Sequence, residues 1–305
     1  MGVNTSSQLV AAVDLGTAKT SVLIGQVTDM GQVDLVGFGT GPSEGIVKGV
    51  VRDLPAASEA LHRVWVEAER VAGVTVRNAV LAVSGAHLAA AWNDGTVSVA
   101  GVDQIVSPPD MQLVRRLACA REIPAGRIVV NQEWGTFWVD GRAVGPMPIG
   151  LRGDKLSVDC WTLHGDEAIV RNAFNLVGGL GLTITDLVHA GLASASVVTS
   201  PVDREHGCIV VDIGAGTTDY VWYWRGQVVM AGTLALGGDQ LTGDVAVGLR
   251  LTEDLAEKAK MRFGRASVVR SKGDMGWIIK FTARVLGASA KKTKYGIPKA
   301  INQSE

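Results

Sequence analysis

Residues 208–218 read CIVVDIGAGTT, and residues 10–20 read VAAVDLGTAKT. Both are a short apolar run that ends in Asp, an apolar residue and Gly, then turns at threonine. Asp14 and Asp212 stand 198 positions apart. Each run leads into a further apolar stretch, a turn and the triplet Gly-Gln-Val, at Gly31-Gln32-Val33 and Gly226-Gln227-Val228. The first copy reads as strands over 9–15, 20–27 and 32–38, the second as a strand over 208–214 and a hairpin after it. The chain is therefore expected to carry a duplicated β-hairpin unit, one copy in each half.

Such a loop has a chemical use. A strand that ends in Asp-x-Gly and folds back presents backbone N–H groups and a hydroxyl in one tight turn. Glycine lets the backbone approach an anion closely. Two such loops facing each other grip the phosphates of a nucleotide from both sides, with Thr17, Thr217 or Thr218 adding hydrogen bonds. Asp14 and Asp212 are then expected at the floor of the cleft. Two carboxylates suit Mg²⁺, which keeps most of its waters and shares phosphate oxygens with its ligand.

Between and beyond the copies the pattern is α/β. Residues 54–71 read as an amphipathic helix with Leu54, Leu61, Val64, Trp65 and Ala68 on its apolar face. Asp53 is its cap and Pro55 lies just inside. Residues 79–84 form a buried strand. Residues 86–162 look like a separate small unit of five short strands (LAAAW, TVSVA, RIVVN, TFWVD, KLSVDCW) and a helix over 110–121. Helices are expected over 166–179, from 192, over 239–249 with Asp239 as its cap, and over 253–263; TITDLVHAG reads as a strand.

Composition bounds the rest. The chain has 305 residues, 47% apolar and 19% charged, enough for a sizeable core and for two halves. Its formal net charge is −1, which gives no footprint for a nucleic-acid partner. The charge is uneven, however. Residues 265–305 carry +7, leaving −8 for residues 1–264. Cys119, Cys160 and Cys208 form no C-x-x-C pair, so reduced thiols in a cytosolic protein are expected. No apolar run reaches 18 residues, and the N-terminus lacks the pattern of a signal peptide. There is no Gly-Lys dipeptide for a P-loop, no H-E-x-x-H and no G-x-S-x-G. His87, in Ser84-Gly85-Ala86-His87, reads as a structural histidine after a strand.

The paired D-x-G loops resemble those of the actin, heat-shock chaperone and sugar kinase superfamily. Within it the chain resembles FtsA, the bacterial cell-division actin homologue. The similar stretches run in order from about residue 9 to 264: AAVDLGTAKTSVLIGQV, VLAVSGAHL, VGPMPIGLRGDKLSVD, LVHAGLASASVVTS, VVDIGAGTTDYVWYWRGQV, LALGGDQLTGDVAVGL and AEKAKMRFG. The resemblance implies an actin-like, ribonuclease H-like α/β fold of two halves. Residues 1–85 and 163–200 would form the first half, 86–162 the small α+β insertion subdomain of FtsA, and 201–264 an incomplete second half. Residues 265–305 would be a divergent basic tail in place of the subdomain that carries the FtsZ docking surface.

The resemblance also assigns roles. Asp14, Gly16, Thr17 and Lys19 match the first phosphate loop, and Asp212, Gly214, Gly216 and Thr217 the second. Asp14 and Asp212 take the catalytic and metal positions. Gly237-Gly238-Asp239 matches a turn that approaches sugar and phosphate. Glu257 and Lys260 match an E-x-x-K helix beside the adenosine, although an i, i+3 ion pair reads equally well from the spacing. ATP and Mg²⁺ are the implied cofactors. FtsZ, other divisome proteins and self-association are the implied partners, at the cytoplasmic face of the inner membrane at the septum. At Ala190 the chaperone relatives carry a carboxylate that orients the attacking water, so slow or no hydrolysis is expected. Residues 277–286 place Trp277, Phe281, Val285 and Leu286 on one helical face and Lys280 and Arg284 on the other, which suits an anionic membrane. A sugar kinase-type phosphotransferase is the alternative on the same scaffold, and it needs an aspartate base that no motif here supplies.

Overall fold

The structure is a computed structural model and describes residues 9–101, 103–120 and 123–264. The basic tail, with the helix expected over 277–286, lies outside the described residues. The chain divides into two compact units at the Leu236–Gly237 bond.

The first unit is built on the first hairpin. Strands β1 (Leu9–Leu15), β2 (Lys19–Val27) and β3 (Val33–Pro42) form an antiparallel meander. Two short strands, β4 (Ile46–Val47) and β5 (Val50–Val51), follow as a small hairpin. Helix α1 (Leu54–Ala72) begins at Asp53, whose side chain accepts from the Ala56 N–H, and ends at Gly73 with φ 67°. It buries Leu61, Val64, Trp65 and Ala68 as the periodicity predicts, but Leu54 is 45% exposed because the first turn overhangs the core. The helix lies directly on β3. A Cβ added at Gly39 would stand 2.1 Å from the Val64 carbonyl oxygen, so glycine is what admits the helix.

Strand β6 (Asn78–Val83) then adds in parallel to β1. The next elements form a second sheet of β7 (Ala89–Ser98), β8 (Arg127–Val139), β9 (Arg142–Val144) and β10 (Lys155–Asp166), in the order β7-β10-β8-β9, with α2 (Pro108–Cys119) on one face. The five short strands expected here are corrected to three long ones and the short β9. Asn93-Asp94-Gly95 continues β7, paired to β10 through Trp92↔Trp161 and Ser98↔Lys155. Glycine stands there because a Cβ at Gly95 would lie 2.5 Å from the Val114 carbonyl oxygen of α2. Gly135 is likewise absorbed at a bulge in the β8–β10 ladder. The far half of the sheet has its own core of Met111, Val114, Phe137, Leu156 and Val158. The near half carries Val130, Trp161 and Leu163 into the main core.

Helix α3 (Glu167–Gly178) returns the chain to the first sheet, where β11 (Thr183–His189) completes the order β11-β6-β1-β2-β3. Two helices follow, α4 (Ala190–Val198) and α5 (Pro201–His206). No helix was expected over 201–206. Its signal is the Ser200–Asp203 capping box, which is short and easily read as a turn. The second hairpin unit is β12 (Cys208–Ile213), β13 (Thr218–Trp224) and β14 (Gln227–Leu234). Its register repeats that of the first: Asp14 pairs with Ser21, and Asp212 with Asp219.

The second unit contains α6 (Gly238–Leu249) and α7 (Glu253–Phe263). The expected cap Asp239 is corrected to Gly237, whose N–H donates to Gln240 Oε1 at 3.0 Å. Asp239 sits instead in the first turn, where its charge opposes the positive end of the helix dipole. Among the described residues no helix is long and apolar enough to cross a membrane.

Candidate functional site

The two Asp-x-Gly turns open onto one cavity of ≈ 290 Å³ in the first unit. Asp14, Gly16, Thr17 and Lys19 line it from the first hairpin, and Asp212, Gly214, Ala215 and Thr217 from the second. The β4–β5 hairpin forms one wall through Ile46, Gly49 and Val51, and α3 another through Ile169, Val170 and Ala173. Gly49 has φ 75°, and a Cβ there would lie 2.6 Å from the Ser84 carbonyl oxygen, so the hairpin rests on the loop after β6.

The turns themselves touch. Gly216 does not line the cavity but packs against Thr17, where an added Cβ would stand 2.6 Å from Thr17 Oγ1. Thr17 Oγ1 is buried and has no hydrogen-bond partner among the described residues. The Thr218 hydroxyl is already used, donating to the Leu236 carbonyl at 2.8 Å, whereas Thr217 faces the cleft. Gly216→Ala pushes a β-branched, stiff side chain and separates the turns at a cost of about 1–3 kcal/mol. We expect Mg-ATP affinity, read by equilibrium titration, to fall about tenfold or more for such a loss. An unchanged affinity would show that the Thr17–Gly216 contact is immaterial to the cleft.

Charge at the floor is the second feature. Desolvation by the surrounding cleft raises the Asp14 carboxyl above the usual range although the residue is exposed to solvent, and the charges of Asp212 and Asp219 push the same way. Lys19 opposes them. Among the described residues no three His, Cys, Asp or Glu side chains converge tightly enough to chelate a metal. Two carboxylates on one cleft suit a divalent cation held largely through its waters and a ligand's oxygens. Crowded acid groups beside a small cationic lysine and glycine-rich turns fit a Mg-polyphosphate better than a bare anion.

Asp219 was not anticipated. It stands where the repeat puts Ser21, it lines the cavity and it is buried. The Ser84 hydroxyl lies 2.9 Å from both of its oxygens, Thr233 Oγ1 donates to it at 2.5 Å, and His189 Nε2 lies at 3.2 Å. Its partners come from the loop after β6, from β11 and from β14, so it ties the second hairpin unit to the first sheet at the cleft floor. The 198-residue offset, applied to every position of the hairpin, would have pointed to it. His87 lines the wall with Nδ1 accepting from the Asp166 N–H at 3.3 Å, and burial, with Arg127 beside it, lowers its pKa. Its Nε2 is buried with no hydrogen-bond partner among the described residues. Ala190 lines the cavity and offers no polar side chain.

In the second unit, Gly238, Glu257 and Lys260 come together. Lys260 Nζ donates to the Gly238 carbonyl at 3.1 Å, to Thr242 Oγ1 at 2.9 Å and to Glu257 Oε2 at 2.6 Å. The i, i+3 ion pair is present, and it also fastens α7 to the first turn of α6.

Paired hairpin units around one cleft, the first strand of each ending in Asp-x-Gly, with an α/β sheet on the first half, define an actin-like fold. The solved PilM–PilN type IV pilus biogenesis complex shares this fold, with a TM-score of 0.60 at 17% identity, covering 91% of this chain and 76% of that one. In sequence the chain is similar to FtsA. The family model "Cell division protein FtsA" matches residues 209–293, running past Gly264. The FtsA of Pseudomonas aeruginosa is 31% identical over 261 residues, 86% of this chain and 62% of that protein. The FtsA of Escherichia coli is 32% identical over 267 residues, again 86% of this chain and 62% of the relative. The chain thus spans a little under two thirds of the length of these curated relatives.

Proposed function

We propose that the chain is an ATP-binding, actin-like scaffold of bacterial cell division, acting as FtsA-type proteins do in assembling the FtsZ ring and tethering it to the cytoplasmic face of the inner membrane. The observation that carries this is the pair of Asp-x-Gly turns on one cavity, in a chain similar to FtsA along 86% of its length. The backbone of Gly16 and Gly214, the hydroxyls of Thr17 and Thr217 and the ammonium of Lys19 would hold the phosphates. Asp14 and Asp212 would hold Mg²⁺, which when bound neutralises phosphate charge. The FtsA resemblance assigns sugar and adenosine to Gly237, Gly238, Glu257 and Lys260. Ala190 offers no base or water-orienting group at the position where the chaperone relatives carry a carboxylate, so the reading is binding with slow or no hydrolysis. FtsZ, other divisome proteins, further copies of the chain and an anionic membrane surface are the partners this function requires.

The test is equilibrium binding of Mg-ATP to the whole chain, with Asp212→Ala beside it. Saturable binding that the substitution abolishes supports the reading. A folded wild-type chain that takes up no Mg-ATP overturns it, as does brisk magnesium-dependent hydrolysis for the claim of slow turnover.

A further inference from the structure

We propose that Ser194 is a positioning residue for the cleft: its hydroxyl clamps one oxygen of Asp212 and so sets how that carboxylate meets the cation accompanying a bound nucleotide. The inference rests on the nucleotide reading above and adds a residue to it. Ser194 Oγ donates to Asp212 Oδ2 at 2.6 Å. Asp212 makes no other side-chain hydrogen bond among the described residues, so Ser194 alone fixes its rotation and leaves Oδ1 for the cleft.

The clamp is itself held rigidly. Ser194 lies four residues after Ala190, so both project from the same face of α4, and Ala190 lines the cavity. At the start of α4 the His189 N–H donates to Asn131 Oδ1 at 2.7 Å. At its end Thr199 Oγ1 donates to the Ala195 carbonyl at 2.7 Å, and the Arg204 guanidinium donates to the carbonyls of Ala195 and Ser196 at 3.4 and 3.1 Å. A short helix tied at both termini delivers its one cleft-side hydroxyl to a constant place. By contrast, Asp212 is exposed at the end of β12, and a free carboxylate there would sample several rotamers. Groups that orient a metal-binding carboxylate typically change cation affinity by about 10–100-fold when removed.

The experiment measures ATP binding to the whole chain as a function of Mg²⁺ for wild type, Ser194→Ala and Ser194→Thr. The melting temperature without nucleotide and ATP binding in EDTA are read alongside. The expected result is a shift of the Mg²⁺ midpoint in Ser194→Ala by about tenfold or more, with melting and EDTA binding unchanged and the midpoint restored in Ser194→Thr. An unaltered Mg²⁺ midpoint in Ser194→Ala, with wild type binding normally, overturns this inference and leaves the nucleotide reading standing. Equal weakening with and without Mg²⁺, or a lower melting temperature in both variants, makes Ser194 merely structural and overturns it too. A wild type that binds no Mg-ATP overturns both.

Discussion

Trp161→Ala is expected to lower stability by about 3–5 kcal/mol, the largest loss from any single truncation in the first unit. Trp161 is 1% exposed and is the bulkiest of the fully buried side chains. It stands midway along β10, opposite Trp92 on one side and Glu133 on the other. On one side of it along the strand, Leu156, Val158 and Cys160 belong to the core under α2; Trp161 and Leu163 belong to the main core. Successive residues of a strand face opposite ways, so Cys160 points to the core under α2 while the indole lies in the main core, at a stretch of β10 buried on both faces. At roughly 2–4 °C per kcal/mol for a domain of this size, the melting temperature should drop by roughly 6–20 °C. Trp92→Ala is the control, because Trp92 is 47% exposed and its loss removes far less buried surface. Equal melting temperatures for the two variants would show that burial of Trp161 in the main core does not carry that stability.

The strands of this sheet are only partly legible in the sequence. The repeated Asp-x-Gly stretches carried the fold because a strand that ends in such a turn has few other uses. Their common register, Asp14↔Ser21 and Asp212↔Asp219, follows from the shared spacing of the two hairpins. The insertion was read as five short strands because Asn93-Asp94-Gly95 has the residues of a turn. Tertiary packing overrides that chemistry: α2 needs a glycine beneath it, and β10 supplies pairing on both sides. The same limit explains Asp219. Its carboxylate matters through Ser84, His189 and Thr233, which lie 135, 30 and 14 residues away and meet only in the folded chain. Ser194 was visible as a residue of LASASVV, but its direction toward Asp212 depends on where α4 lies. By contrast, Glu257 and Lys260 are neighbours on one helix, and their pairing was readable from spacing alone.

Asp14→Asn is expected to raise the stability of the nucleotide-free chain at neutral pH while destroying cation-dependent binding. The Asp14 carboxyl titrates above its ordinary value of 3.8 because the cleft desolvates its charge and Asp212 and Asp219 repel it, effects that its exposure to solvent keeps modest. Below the ordinary value it is protonated in both folded and unfolded chains and contributes no pH dependence. Between the ordinary and the raised value the folded chain holds more protons than the unfolded one, so stability falls as pH rises. Above the raised value the whole penalty stands. Asparagine keeps the shape, removes the charge and sacrifices no side-chain hydrogen bond, since Asp14 makes none with the described residues. The variant should melt above wild type at pH 7, with the difference shrinking steadily toward pH 4. Its Mg-ATP affinity should fall by roughly a hundredfold, since even groups that only orient a metal-binding side chain change affinity by about 10–100-fold when removed. Opposite signs for stability and binding are what a cleft built for a cation predicts, because the carboxylates are kept close together for a ligand that relieves them. A variant that melted below wild type at pH 7 would show that no such repulsion is stored there, and the cleft would lose its best physical argument for a cation.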